Sequence, residues 1–146
     1  MAKAKKVTLL TLSVPDKVGQ IAALAELVAG AKANILALVA AEAGGNAEVR
    51  LVVDKIEKVK KALAGFAGEV KQEEALRVDV QNKPGSLLKV SQKIANAGIN
   101  ISRSWATAFS GKTATCLLVT ADNEKAAAAL AAKKAKDKTG KKATGG

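Results

Sequence analysis

Two periods of apolar residues alternate along this chain. "VTLLTLSV" (7–14) is an apolar run of the β type, closed by Pro15 and Asp16. A run of that length bounded by a turn reads as a strand. Residues 19–31 then carry apolar side chains at 21, 24, 27 and 28, the spacing of one helical face. "ANILALVAAE" predicts a second strand, "AGGN" (43–46) a hairpin turn whose glycines accept positive φ, and "AEVRLVVD" the partner strand. Asp54 is placed to cap a second helix, "KIEKVKKALAGFAG", with Ile56, Val59, Leu63 and Phe66 along one face. "EVKQEEALRVDV" (69–80) must then close one set of elements and open another.

The same order returns. "LRVDV" predicts a strand, 85–97 a helix, "INISRSWATAF" a strand, 110–112 a turn, "TATCLLVTA" a strand and 122–138 a helix. Sliding the chain by 66 residues aligns the copies without a gap. Asp16 meets Asn82, Lys17 meets Lys83, Gly19 meets Gly85, Asn34 meets Asn100 and Ile35 meets Ile101. An internal repeat of this kind means one supersecondary unit used twice. The fold class is α+β: two tandem ferredoxin-like βαββαβ sandwiches, the second lacking an obvious final strand. The expected domains are 7–74 and 75–135, with 136–146 a disordered lysine-rich tail. Two devices would replace the absent strand: a strand lent by a second chain, or the long strand at 69–80 serving both copies.

Composition narrows the chemistry. The chain has 146 residues, 49% of them hydrophobic and only 2% aromatic, so its core must be built from small aliphatic side chains. No apolar run reaches the roughly 18 residues of a membrane span. The basic start "MAKAKK" leads into too short an apolar patch to read as a signal peptide. Cys116 is the single cysteine, which excludes an intrachain disulfide and fits a reducing, cytoplasmic setting. Histidine is absent, so Ser-His and Cys-His nucleophiles and His-ligated metals are excluded. No acid–base pair, metal set or phosphate loop stands out, and neither catalysis nor a cofactor is expected. The net charge is +11, but residues 1–6 hold three lysines and 125–146 hold seven lysines against Asp137. The middle, 7–124, has 14 basic and 12 acidic residues and is nearly neutral, which argues against a basic nucleic-acid groove on the folded part.

The turn "NKPGSL", a helix of about twelve residues and then "AGINI" resemble an ACT domain, a small ligand-sensing module of amino-acid metabolism. "DKVGQI" followed by "KANIL" is similar to a more degenerate copy, with Val18 in place of the usual proline. The resemblance covers roughly 7–74 and 75–135. It implies a βαββαβ fold, side-by-side pairing, and a free amino acid bound at the seam. Small stand-alone proteins with two such copies occur in the family. Carried over, the ligand-contacting positions are Asp16, Lys17, Val18, Gly19, Asn34 and Ile35 in copy one, and Asn82, Lys83, Pro84, Gly85, Asn100 and Ile101 in copy two. Serine-sensing members carry a histidine two residues before the first Asn, where this chain has Val80. The implied partners are an amino-acid ligand, a second copy in a homodimer, and an enzyme or regulator of amino-acid metabolism. Neither nucleic acid nor membrane is among them.

These residue types suit that task. A helix N-terminus offers unpaired N–H groups and a positive dipole end to a carboxylate. Glycine there lets a ligand approach the backbone, and proline stiffens the loop. An asparagine donates to a carboxylate and accepts from an ammonium, whereas Asp16 only accepts. The plainer reading of the same residues is turns and caps. Trp105 is expected on one strand face with Ile101, Arg103, Thr107 and Phe109, packing on a sheet or partner. Cys116 reads as a buried, inert thiol, and lysines 55, 58, 60 and 61 as a solvated helix face. Arg50, Arg77 and Arg103 alternate with apolar neighbours, which fits salt bridging within a sheet. Two other functions compete with the sensor: a nucleic-acid-associated protein using its lysine-rich tail, and a structural dimerisation module with no ligand.

Overall fold

The computed structural model describes residues 3–108 and 110–132. The order is β1 (Lys3–Pro15), α1 (Gln20–Gly30), β2 (Ile35–Ala43), β3 (Asn46–Val53), α2 (Ile56–Ala67), β4 (Lys71–Gln81), α3 (Ser86–Asn96), β5 (Ile101–Thr107), β6 (Thr113–Thr120) and α4 (Asn123–Ala131). The fold is α+β with antiparallel strand pairs, and two compact units divide the chain. The first is Thr8–Glu74; the second joins the N-terminal residues through Val7 to Ala75 and beyond.

In the first unit β3 lies between β1 and β2, antiparallel to both. Leu10 stands opposite Leu51 and Leu12 opposite Val49. Side chains alternate across a strand, so Leu10, Leu12 and Val14 share one face with Val49, Leu51 and Val53. That face packs on Leu24 and Val28 of α1 and on Val59 and Leu63 of α2, all buried. Each such aliphatic side chain contributes about 1.5–3 kcal/mol when fully buried. Ile21, expected on the buried face of α1, is 42% exposed. It sits in the first turn, before the helix reaches the core. The hairpin between β2 and β3 has φ of 61° at Gly44 and 88° at Gly45, the positive pair a two-residue turn demands. Asp54 does not cap α2. The N-cap is Lys55, and Asp54 Oδ1 accepts from the Asn34 backbone N–H at 2.8 Å instead.

In the second unit β6 lies between β4 and β5. Leu76 faces Leu118 and Val78 faces Cys116, and these pack on Val90 and Ile94 of α3 and Ala126 and Leu130 of α4. Asp122 caps α4 by accepting from the Lys125 backbone N–H at 3.0 Å. The helix expected to run to 138 ends at Ala131, because Ala132 is extended with ψ of 139°. Among the described residues no strand follows α4. Residues 3–7 serve this unit instead: β1 lies beside β4, Ala4 packs against the core, and Lys6 pairs with Glu124. In this structure the unit is closed by residues 3–7 of the same chain. The strand at 69–80 is divided, with Lys71–Glu74 in the first unit and Ala75–Gln81 opening the second, but it does not replace the absent strand, whose place residues 3–7 of β1 take. The lysine-rich tail, 136–146, lies outside the described residues.

Equivalent elements keep the 66-residue offset: α1 opens at Gln20 and α3 at Ser86, β2 at Ile35 and β5 at Ile101. Each of those strands is irregular at its start, between Ile35 and Ala37 and between Ile101 and Arg103. The irregularity turns the strand over. Ile101 thus packs with the second core, while Arg103 and Trp105 stand opposite Val119 and Leu117. The expectation that Ile101 shares a face with Trp105 fails for this reason. Phe109 lies outside the described residues.

Candidate functional site

The two predicted loops adopt one local design. Gly19 and Gly85 precede α1 and α3 with φ of 88° and 90°, a left-handed conformation that costs any L side chain. A Cβ at either glycine would meet nothing within 4 Å. The requirement for glycine here is conformational, and the space beside each is open. Neither helix has a side-chain cap or an acidic residue in its first turn. Gln20 and Ser86 N–H turn back to backbone carbonyls, and the next donors of the turn have no side-chain cap and are left to solvent or to an anion.

Each loop is tied to the hairpin of its own unit. Asp16 N–H donates to Gly45 O at 3.3 Å, and Asn82 N–H to Lys112 O at 2.9 Å. The Asn82 side chain adds Nδ2 to Gly111 O at 3.0 Å. This engages one of the two amide donors of Asn82 and leaves its Oδ1 to accept, so Asp16 and Asn82 both present acceptors. The hairpin carbonyls of Gly45 and Gly111, which hold the loops, escaped the sequence reading, although these glycines also stand 66 residues apart. Lys17 and Lys83 accept through their carbonyls from Gln20 and Ser86 N–H at 3.4 and 3.3 Å, closing each turn into its helix. Val18 is fully exposed, and Pro84, its counterpart in the other loop, is exposed.

The strand-opening asparagines are built differently. Asn34 is pinned by its backbone, its N–H donating to Asp54 Oδ1 and its carbonyl accepting from Asp54 N–H at 3.2 Å. The Asn100 carbonyl accepts from Ala121 N–H at 3.0 Å. Both side chains are exposed. The residues after them point inward: Ile35 packs against the first core and Ile101 against the second. Within a unit the loop and the strand-opening asparagine lie at opposite ends of an 11-residue helix, about 16 Å apart at 1.5 Å per residue. Neither unit brings Asp16 near Asn34 or Asn82 near Asn100. Val80 packs against the second core.

Other candidates settle into structural roles. Arg50 pairs with Glu48 at 2.9 Å and Arg77 with Asp79 at 3.1 Å, each two residues along its own strand. Burial works to raise the Asp79 pKa, but hydrogen bonds from Arg77 and Thr115 and the charges of Arg77 and Lys5 outweigh it and hold the carboxyl below its ordinary value. Burial, aided by Asp79, pushes the Cys116 thiol up, which disfavours the reactive thiolate. Two lysines of the supposed solvated face have partners: Lys55 donates to Lys32 O at 2.9 Å and Lys60 to Gln72 Oε1 at 2.5 Å. A shallow groove between α1 and α2 is lined by Ala23, Glu26, Leu27, Gly30, Ala31 and Ala62, none of them a predicted ligand residue. No helix among the described residues is long and apolar enough to cross a membrane, and no cluster of potential metal ligands occurs among them.

No protein-family model and no curated protein sequence matches the chain. Solved structures do. The chain is similar to a protein from Bacteroides thetaiotaomicron, with a TM-score of 0.80 at 24% identity over 87% of this chain and 88% of that one. It is similar to the regulatory subunit of aspartate kinase from Thermus flavus, with a TM-score of 0.63 at 18% identity over 89% and 91%. The ligand-free regulatory subunit from Thermus thermophilus gives 0.65 at 16% identity over 89% and 95%. At these identities the likeness establishes the fold, which is the one these regulatory subunits have.

Proposed function

We propose that this chain is a non-catalytic regulatory protein that binds a free amino acid where ACT-like domains pair. The observation that carries the reading is the design the two loops share. An uncapped helix N-terminus, with no acid in its first turn, opens beside a left-handed glycine in open space. Next to it stands an acceptor, the Asp16 carboxylate or Asn82 Oδ1. An α-amino acid brings the matching pair, a carboxylate for the N–H groups and an ammonium for the acceptor. Asn34 and Asn100, exposed at the far ends of the helices, would complete such a site only from a neighbouring domain. The likeness to regulatory subunits of aspartate kinase supports a partner enzyme of amino-acid metabolism. A ligand can drive such a partner only by preferring one arrangement of the protein over another.

The test is thermal melting of the purified protein with each of the twenty amino acids at millimolar concentration, with Asn100→Ala in parallel. A ligand at a hundredfold its Kd is expected to add about 2.7 kcal/mol and raise Tm clearly. A selective rise that is lost in the variant supports the reading. Twenty flat responses would sink it and leave a structural module without a ligand.

A further inference from the structure

We propose that Thr11 and Arg50 form a binding site for the carboxylate of a small organic acid, on the strand face of the first unit that its helices do not cover. The site goes beyond the loop reading and shares no residue with it. In the antiparallel register Thr11 is the direct partner of Arg50 on one side and Val39 its partner on the other. Thr11 Oγ1 and Arg50 Nε are both buried, and neither has a hydrogen-bond partner among the described residues. A buried polar atom left unmade costs the full loss of its hydration, which is why native structures rarely keep one. Here two occur on adjoining residues of two paired strands.

Their chemistry points one way. Nε–H and a threonine hydroxyl are both donors, and the guanidinium carries a positive charge. Nη2 of Arg50 is engaged by Glu48 Oε1 at 2.9 Å. Directly opposed residues lie about 5 Å apart across a strand pair, a spacing that lets two donors share the two oxygens of one carboxylate. The neighbours suit the rest of a small acid. Ala37, Val39 and Ala41 of β2 flank the row by alternation and offer short apolar side chains. Glu48 and Ser13, partners in the next row, are the polar groups an ammonium on the acid would reach. Because Nε is covered when Arg50 reaches for Glu48, entry of the acid requires the guanidinium to swing away from that bridge.

The full-length protein is titrated with sodium acetate against sodium chloride at matched ionic strength, following Tm and the amide spectrum of residues 8–15 and 46–53. Acetate is expected to raise Tm above the chloride control and to shift the Thr11 and Arg50 amides. Thr11→Val, which keeps the shape of the side chain, is expected to weaken acetate binding about tenfold, the worth of one charge-assisted hydrogen bond. Asn100→Ala is expected to leave it unchanged, which separates this site from the loop site. Identical curves in acetate and chloride would overturn the proposal. So would full acetate affinity in Thr11→Val, which would show that the hydroxyl takes no part.

Discussion

Lys32 and Gly98 stand 66 residues apart and do the same work, with φ of 60° and 76° just past the ends of α1 and α3. A left-handed residue lets the last carbonyls of a helix find donors. Ala33 N–H donates to Val28 O and Ile99 N–H to Ile94 O, both at 3.2 Å. Lysine pays a steric cost in that conformation that glycine does not, of roughly 1–2 kcal/mol. Gly98→Ala is therefore expected to lower stability by about 1 kcal/mol, and Lys32→Gly to leave it unchanged or raise it slightly. Urea midpoints of the two variants check this, and a loss of stability in Lys32→Gly would contradict the account. Lys32 also lends its carbonyl to Lys55 Nζ, an interaction the glycine variant keeps because it uses the backbone.

Among the elements, residues 3–7 of β1 carry the least apolar anchor. Lys3, Lys5 and Lys6 are exposed, and Ala4 is the residue that reaches the second core. Charged side chains along a short strand blunt its edge against unwanted pairing, and they leave little burial to hold it. Ala4→Asp would press a carboxylate on that core and is expected to cost about 1–3 kcal/mol. The measurement is amide hydrogen exchange. Faster exchange is expected in β6 and α4 of the second unit, with β3 of the first unit unchanged. Equal loss of protection in β3 and β6 would show that residues 3–7 do not belong to the second unit alone.

For the molecule, the division of β1 and β4 has a direct consequence. The stretch 8–74 contains every strand and helix of the first unit, including its share of β4. The stretch from 75 onward does not contain the strand that stands beside β4 in the second unit. A fragment of residues 8–74 is expected to melt cooperatively on its own. A fragment of 75–146 is expected to gain stability when residues 1–7 are joined to its end through a flexible linker. Circular dichroism melting of the fragments checks this, and a 75–146 fragment indifferent to the added strand would contradict it.

Local periodicity carried most of the elements. A helical face such as 24, 27 and 28, or the Gly-Gly turn at 44–45, depends on residues a few positions apart, and the chain spells these out. The repeat was legible for the same reason: Asn82, Gly85 and Asn100 meet Asp16, Gly19 and Asn34 at one fixed offset. The sequence also named residues that share local roles, the two left-handed glycines above all. What it could not specify were choices made by distant partners. Asp54 has the right place for a cap but is drawn to the Asn34 N–H, 20 residues away. Ile101 and Trp105 read as one strand face until pairing with β6 introduces an irregularity and separates them. Alternation placed Thr11 and Arg50 on strands, but only the register of β1 on β3 makes them neighbours. By composition residues 3–7 are only a basic start to the chain. Their place beside β4 fills a strand position that no described residue after α4 takes, and filling it is a tertiary event with no local signature.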